Sequence, residues 1–67
     1  MNRRPVTSSN VASIGWEDET LEVEFVSGHI YQYQDVPEAA YRELLGADSI
    51  GRHMNQLQGK YQMMRVK

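Results

Sequence analysis

The segment Leu21-Glu22-Val23-Glu24-Phe25-Val26-Ser27-Gly28-His29-Ile30-Tyr31-Gln32-Tyr33 decides the fold. Leu21, Val23 and Phe25 alternate with Glu22 and Glu24, the period-two pattern of a strand with one buried face. The turn that follows settles where the two tyrosines point. With a two-residue Ser27-Gly28 loop, Val26 would pair with His29, and Tyr31 and Tyr33 would share the glutamates' face, exposed as a platform for base stacking. With a three-residue Val26-Ser27-Gly28 loop and a left-handed Gly28 as a G1 bulge, Phe25 pairs with His29, Val23 with Tyr31 and Leu21 with Tyr33. The second register is preferred, because the first sets two glutamine amides against an apolar row.

Working outward, Ala12, Ile14 and Trp16 also alternate. Pairing Trp16 with Leu21 across the polar Glu17-Asp18-Glu19-Thr20 stretch places Ile14 opposite Val23 and Ala12 opposite Phe25. After Val36 the period becomes helical. Pro37 suits a first helical position, Glu38 complements the helix dipole, Tyr41, Leu44 and Leu45 share a face, and Gly46 ends the turn. A second helix follows, capped by Asp48 or Ser49, with Ile50, Met54 and Leu57 on its apolar stripe and Gly59 at its end. Residues 1–7 read as a flexible arm and 60–67 as an extended tail across the body. The expected architecture is α+β: a three-stranded antiparallel meander packed on one face by two C-terminal helices, β-β-β-α-α, in a single domain over residues 1–67.

Length and composition bound the function. A chain of 67 residues buries only about 60% of the surface its unfolded form exposes, and its core contributes roughly 3 to 5 kcal/mol net. Cysteine is absent, so disulfides, thiolate metal sites and thiol nucleophiles are excluded, and His29 and His53 alone cannot fill a zinc shell. No cofactor or metal is expected. Neither a membrane span nor a secretory signal is visible, and a cytoplasmic location is expected. The net charge of -2 conceals an asymmetry: residues 1–47 hold three basic and eight acidic side chains, whereas residues 48–67 hold four basic ones (Arg52, Lys60, Arg65, Lys67) against Asp48. Such a basic segment fits a phosphate-bearing or acidic partner.

The strings Val6-Thr7-Ser8-Ser9-Asn10-Val11, Ser13-Ile14-Gly15-Trp16, Leu21-x-Val23-x-Phe25-x-x-Gly28, Tyr31-x-Tyr33-x-x-Val36-Pro37, Tyr41-x-x-Leu44, Ala47-x-Ser49-x-Gly51 and Asn55 together resemble the KTSC domain. That family is named for the C-terminus of some lysyl-tRNA synthetases and also occurs as small stand-alone bacterial and phage proteins. The resemblance spans nearly the whole chain and implies RNA binding by association with the synthetase. Two positions depart from the pattern. Trp16 stands where the family commonly has Tyr, and His53 and Met54 stand where it commonly has aromatic residues, which removes a stacking surface from the second helix.

The candidate binding residues are Ser49, Arg52, Asn55, Lys60, Tyr61 and Arg65. Ser49-x-Gly51 at a helix start offers a hydroxyl, free N–H groups and close backbone approach to an anion, although a plain helix cap explains it equally well. Arg52 and Asn55, three apart, can grip a phosphate and a base edge or peptide amide. Catalysis is not expected, since Ser8, Ser9 and Asn10 have no histidine or acid placed beside them in sequence. Glu17, Asp18 and Glu19 lack the remaining oxygen ligands of a calcium loop. Met63-Met64 offers a soft contact for a partner. Two functions stay open: a module binding single-stranded RNA or tRNA through the basic C-terminal segment, or a protein-protein module, bacterial or phage-encoded, that docks a host or other partner protein through the same tail or an exposed strand edge.

Overall fold

The computed structural model describes residues 1–67 as β1 (Arg4–Pro5), β2 (Val11–Glu17), β3 (Thr20–Phe25), β4 (Ile30–Tyr33), α1 (Glu38–Leu45), α2 (Ile50–Leu57) and β5 (Met63–Arg65). The decisive hairpin takes the three-residue loop: Leu21 faces Tyr33 and Val23 faces Tyr31. Phe25 N–H donates to the His29 carbonyl at 2.9 Å, and Gly28 N–H closes the loop onto the Phe25 carbonyl at 2.9 Å. Gly28 sits at φ 98°, where any side chain would be strained.

The β2–β3 hairpin keeps the expected pairs Trp16–Leu21 and Ile14–Val23, but two details differ. Glu17 and Thr20 extend the ladder, so the loop shrinks to Asp18-Glu19, both at positive φ, the geometry whose twist matches the flanking strands. At the far end a register shift between Val11 and Ser13 puts Val11, rather than Ala12, opposite Phe25 and turns Val11 into the core. The bulge lets Ile14 and Val11 face the same side although they are an odd number of positions apart.

The sheet has five strands in the order β1-β2-β3-β4-β5, so three was too few. Both additions are short edge strands. The arm expected to be flexible pairs Arg4 with Ile14 and Pro5 with Ser13, and the tail pairs Met63, Met64 and Arg65 with Tyr33, Gln32 and Tyr31. Both helices occur as expected, with Ser49 accepting the Arg52 N–H at 3.3 Å as the cap of α2. Pro37 is extended and caps α1 from outside instead of opening it, and α2 ends at Leu57 with the extended Gln58 as its C-cap, before Gly59 is reached.

One face of the sheet, through Val11, Ile14, Leu21, Val23 and Tyr33, meets Val36, Leu44, Met54 and Leu57 in a single core. Trp16 and Phe25 flank it without joining its centre. Trp16 stacks on Tyr41 with ring centroids 6.3 Å apart and donates its indole N–H to the Val36 carbonyl at 2.8 Å. Phe25 meets Tyr31 edge to face at 5.7 Å.

The other face is polar and is latched by the arm. The Arg3 guanidinium pairs with Glu22 and donates through Nε to Ser13 Oγ at 3.0 Å. Gln32 Nε2 donates to Glu22 Oε1 at 2.8 Å, and Ser13 Oγ to Glu24 Oε1 at 2.8 Å. Glu22 is only 7% exposed. Burial pushes its pKa up, but the hydrogen bonds from Gln32 and Arg3 and the Arg3 charge outweigh that and hold it below its ordinary value.

Candidate functional site

The chain just before β2 is shaped by Ser8. Its hydroxyl donates to Asn10 Oδ1 at 3.0 Å and accepts the Val11 N–H at 3.3 Å, a local turn that fixes the Asn10 side chain. The Asn10 carbonyl accepts Val26 N–H at 2.9 Å, tying this turn to the β3–β4 loop. On its other side the Asn10 amide abuts Gly51, and a Cβ at that position would collide with Asn10 Oδ1. Glycine at 51 is thus what admits Asn10 to the first turn of α2.

The result is a polar cup of about 480 Å³ between the 7–10 segment and the start of α2, with Thr7, Ser8, Ser9 and Asn10 on one wall and Asp48, Ser49, Gly51, Arg52 and Asn55 on the other. Arg52 and Asn55 are exposed, and Ser49 Oγ is engaged by the Arg52 N–H. Asp48 lines the same cup, so an anion there would meet a carboxylate as well as the Arg52 guanidinium.

Asn10 also lines a second, more apolar hollow of about 320 Å³, bounded by Phe25, Val26, Ser27, His29, Tyr31 and Gln58. The two concavities share this one residue and adjoin at it. Arg65 is the cross-strand partner of Tyr31 and therefore lies on the same face of the sheet, at the hollow's β5 side. Tyr33, the next tyrosine along β4, is fully buried, which removes the paired platform and leaves only Tyr31 half open. The Tyr33 hydroxyl has no hydrogen-bond partner. Burial pushes its pKa up.

The six candidate residues fall into two groups. Ser49, Arg52 and Asn55 converge on the cup. Lys60 is exposed in the turn after α2, Tyr61 packs against the core beside the Gln58–Tyr61 bridge, and Arg65 sits on β5. Tyr61 is thus committed mainly to packing. His53 is half-buried and Met54 lies wholly in the core. Sequence reasoning overlooked Ser8, Asn10, Phe25, His29 and Gln58 as wall residues. A signal for the first two was present, since Ser8-Ser9-Asn10 and Ser49-x-Gly51 both belong to the strings carrying the family resemblance, and the fold brings these strings together.

A five-stranded antiparallel meander with a helix pair on one face and a groove where the first long strand meets the second helix defines a small α+β domain. Residues 7–61 match the model of the KTSC domain, and the chain belongs to that family. It is 48% identical over 59 residues to an uncharacterized protein of Stutzerimonas stutzeri, covering 85% of this chain and 83% of that one. A protein of Tsukamurella paurometabola is 35% identical over 54 residues, covering 78% and 81%. The crystal structure of a KTSC domain protein from Yersinia pestis superposes with a TM-score of 0.94 at 36% identity, covering 98% of this chain and 97% of that one. No helix here is long and apolar enough to cross a membrane.

Proposed function

We propose that this chain is a small non-catalytic module that binds single-stranded RNA along the groove, with the basic C-terminal segment supplying the phosphate contacts. The observation that carries the reading is the sharing of Asn10 by two unlike concavities, one polar with Arg52 and Asn55, the other walled by aromatic rings with Arg65 beside Tyr31. Polar cups with a guanidinium suit phosphates, and aromatic walls suit unstacked bases, so their alternation fits a single strand better than a duplex. The distribution of charge supports it as well. Glu22 and Glu24 are engaged on the opposite sheet face, and Glu17, Asp18 and Glu19 lie at the β2–β3 hairpin, outside both concavities.

A second reading, a protein-binding module, draws on the edge strand β5, where Met63 and Met64 are 51% and 54% exposed. Fluorescence anisotropy of a labelled single-stranded RNA, with a duplex of the same sequence as control, separates the two. Saturable binding of the single strand at low salt and weaker binding of the duplex support the RNA module. The absence of binding at low salt would leave the β5 edge as the better reading.

A further inference from the structure

The hollow beside the β3–β4 loop has a composition that the phosphate contacts do not require. Phe25 and Tyr31 each pack one side on the core and remain half-buried, and His29 stands 6.5 Å from Tyr31, ring centre to ring centre. Two amides, Asn10 and Gln58, complete the wall. At about 320 Å³ the space is of the size that small planar ligands occupy. A purely apolar guest would displace water from the exposed Asn10 and Gln58 amides and return no hydrogen bond, whereas a guest with a π-face and a polar edge serves ring and amides together.

We infer that this hollow seats one unstacked nucleobase, which lies against Tyr31 within the bound on one side given by Phe25 and turns its hydrogen-bonding edge to Asn10 and Gln58. The inference rests on the RNA reading above for its physiological ligand. Because an amide both donates and accepts, the rim can meet any base edge, and ring stacking tolerates every base. The seat therefore anchors a strand in register without reading its sequence. The exposed Arg65 next to Tyr31 and the Arg52 cup beyond Asn10 lie on either side of it, where the flanking phosphates of that nucleotide would run.

The test is an aromatic-resolved NMR titration of the full chain with adenosine, and separately with ribose 5-phosphate, which has the sugar and phosphate but no base. Adenosine is expected to move the ring resonances of Tyr31, Phe25 and His29 upfield, and ribose 5-phosphate to leave them in place. Tyr31→Leu should weaken adenosine binding about fivefold or more, and Gln58→Ala, at an exposed position that spares the core, by about two- to tenfold. Unmoved rings, or a folded Gln58→Ala variant that binds adenosine like the parent, would overturn the base seat. Single abasic substitutions walked along an oligonucleotide keep the two readings apart. If every abasic strand binds like the intact one, with its salt dependence unchanged, the seat is wrong and the RNA reading stands. Adenosine shifts without any oligonucleotide binding would keep the seat and remove the RNA reading.

Discussion

Replacing Arg3 by alanine tests whether the N-terminal arm is part of the fold. In the parent, Glu22 is buried on the open sheet face with Arg3 as its counter-ion and Gln32 as its second partner. Removing the guanidinium strands a carboxylate whose side chain is only 9% exposed. Breaking a fully buried pair from one side costs about 3 to 5 kcal/mol. The Arg3 side chain is 25% exposed, and water can partly take its place, so the expected loss is roughly 2 to 3 kcal/mol. For a domain of this size that is more than half of its stability and lowers Tm by roughly 10 to 20 °C. Glu22→Gln in the same background removes the stranded charge and keeps an amide for Gln32, so the double variant should recover most of the loss. Acid sensitivity gives an independent reading. The depressed Glu22 pKa contributes stability that is fully present above the unfolded value of 4.5 and disappears as pH falls through the lower folded value. In Arg3→Ala burial is no longer outweighed, the folded pKa no longer lies below the unfolded one, and the acid-linked loss at Glu22 should flatten or reverse, with the variant's deficit shrinking as pH falls. Urea unfolding followed by Trp16 fluorescence measures all of this. An Arg3→Ala variant within about 0.5 kcal/mol of the parent, with the same pH profile, would show that the arm is only loosely attached.

Other substitutions probe the core and the cup. Phe25→Ala removes a half-buried ring, so the expected loss is roughly 2 kcal/mol by thermal melting, below the 3 to 5 of a ring at the core's centre. Tyr33→Phe deletes a buried hydroxyl that has no partner and should be neutral or stabilise by up to about 1 kcal/mol in the same assay; a clear loss would mean that the hydroxyl is bonded in solution. Gly51→Ala pushes the Asn10 side chain out of the cup, at the tip of an exposed residue, so Tm should hold while RNA affinity measured by anisotropy falls. Gly15→Ala differs, since its Cβ would meet the backbone carbonyl of Asn2 at 2.6 Å and displace the arm, and its melting temperature should drop as for Arg3→Ala.

What could be read from residues alone follows from how locally each feature is encoded. The Tyr31 and Tyr33 register was legible because period two and Gly28 constrain it within a dozen residues. The edge strands were not. Arg4–Pro5 and Met63–Arg65 are too short to show a period, and each exists only because a neighbouring strand offers free backbone groups. Glu22 read as solvent-facing, which alternation alone implies, because its counter-ion lies nineteen positions away in a polar arm. The bulge at Ala12 was equally invisible, since a one-residue shift leaves no mark in composition. Half of the candidate site was legible, as Ser49, Arg52 and Asn55 follow from helical spacing, whereas the opposing wall at Ser8 and Asn10 depends on a tertiary contact across Gly51.

The central claim, a single RNA strand held by phosphate contacts along the groove, is tested most directly by the salt dependence of binding. Contacts from Arg52, Lys60 and Arg65 to three phosphates give a log-log slope of about -2, at roughly 0.7 per phosphate for a single strand. Affinity should be weak at physiological salt, on the order of 10⁻⁴ to 10⁻⁶ M. Replacing Arg52 and Arg65 together by alanine, both exposed and outside the core, should flatten the slope by about 1.4 with the melting temperature unchanged. A slope that the double variant leaves as it was, or no binding at low salt where such contacts are strongest, would contradict the account.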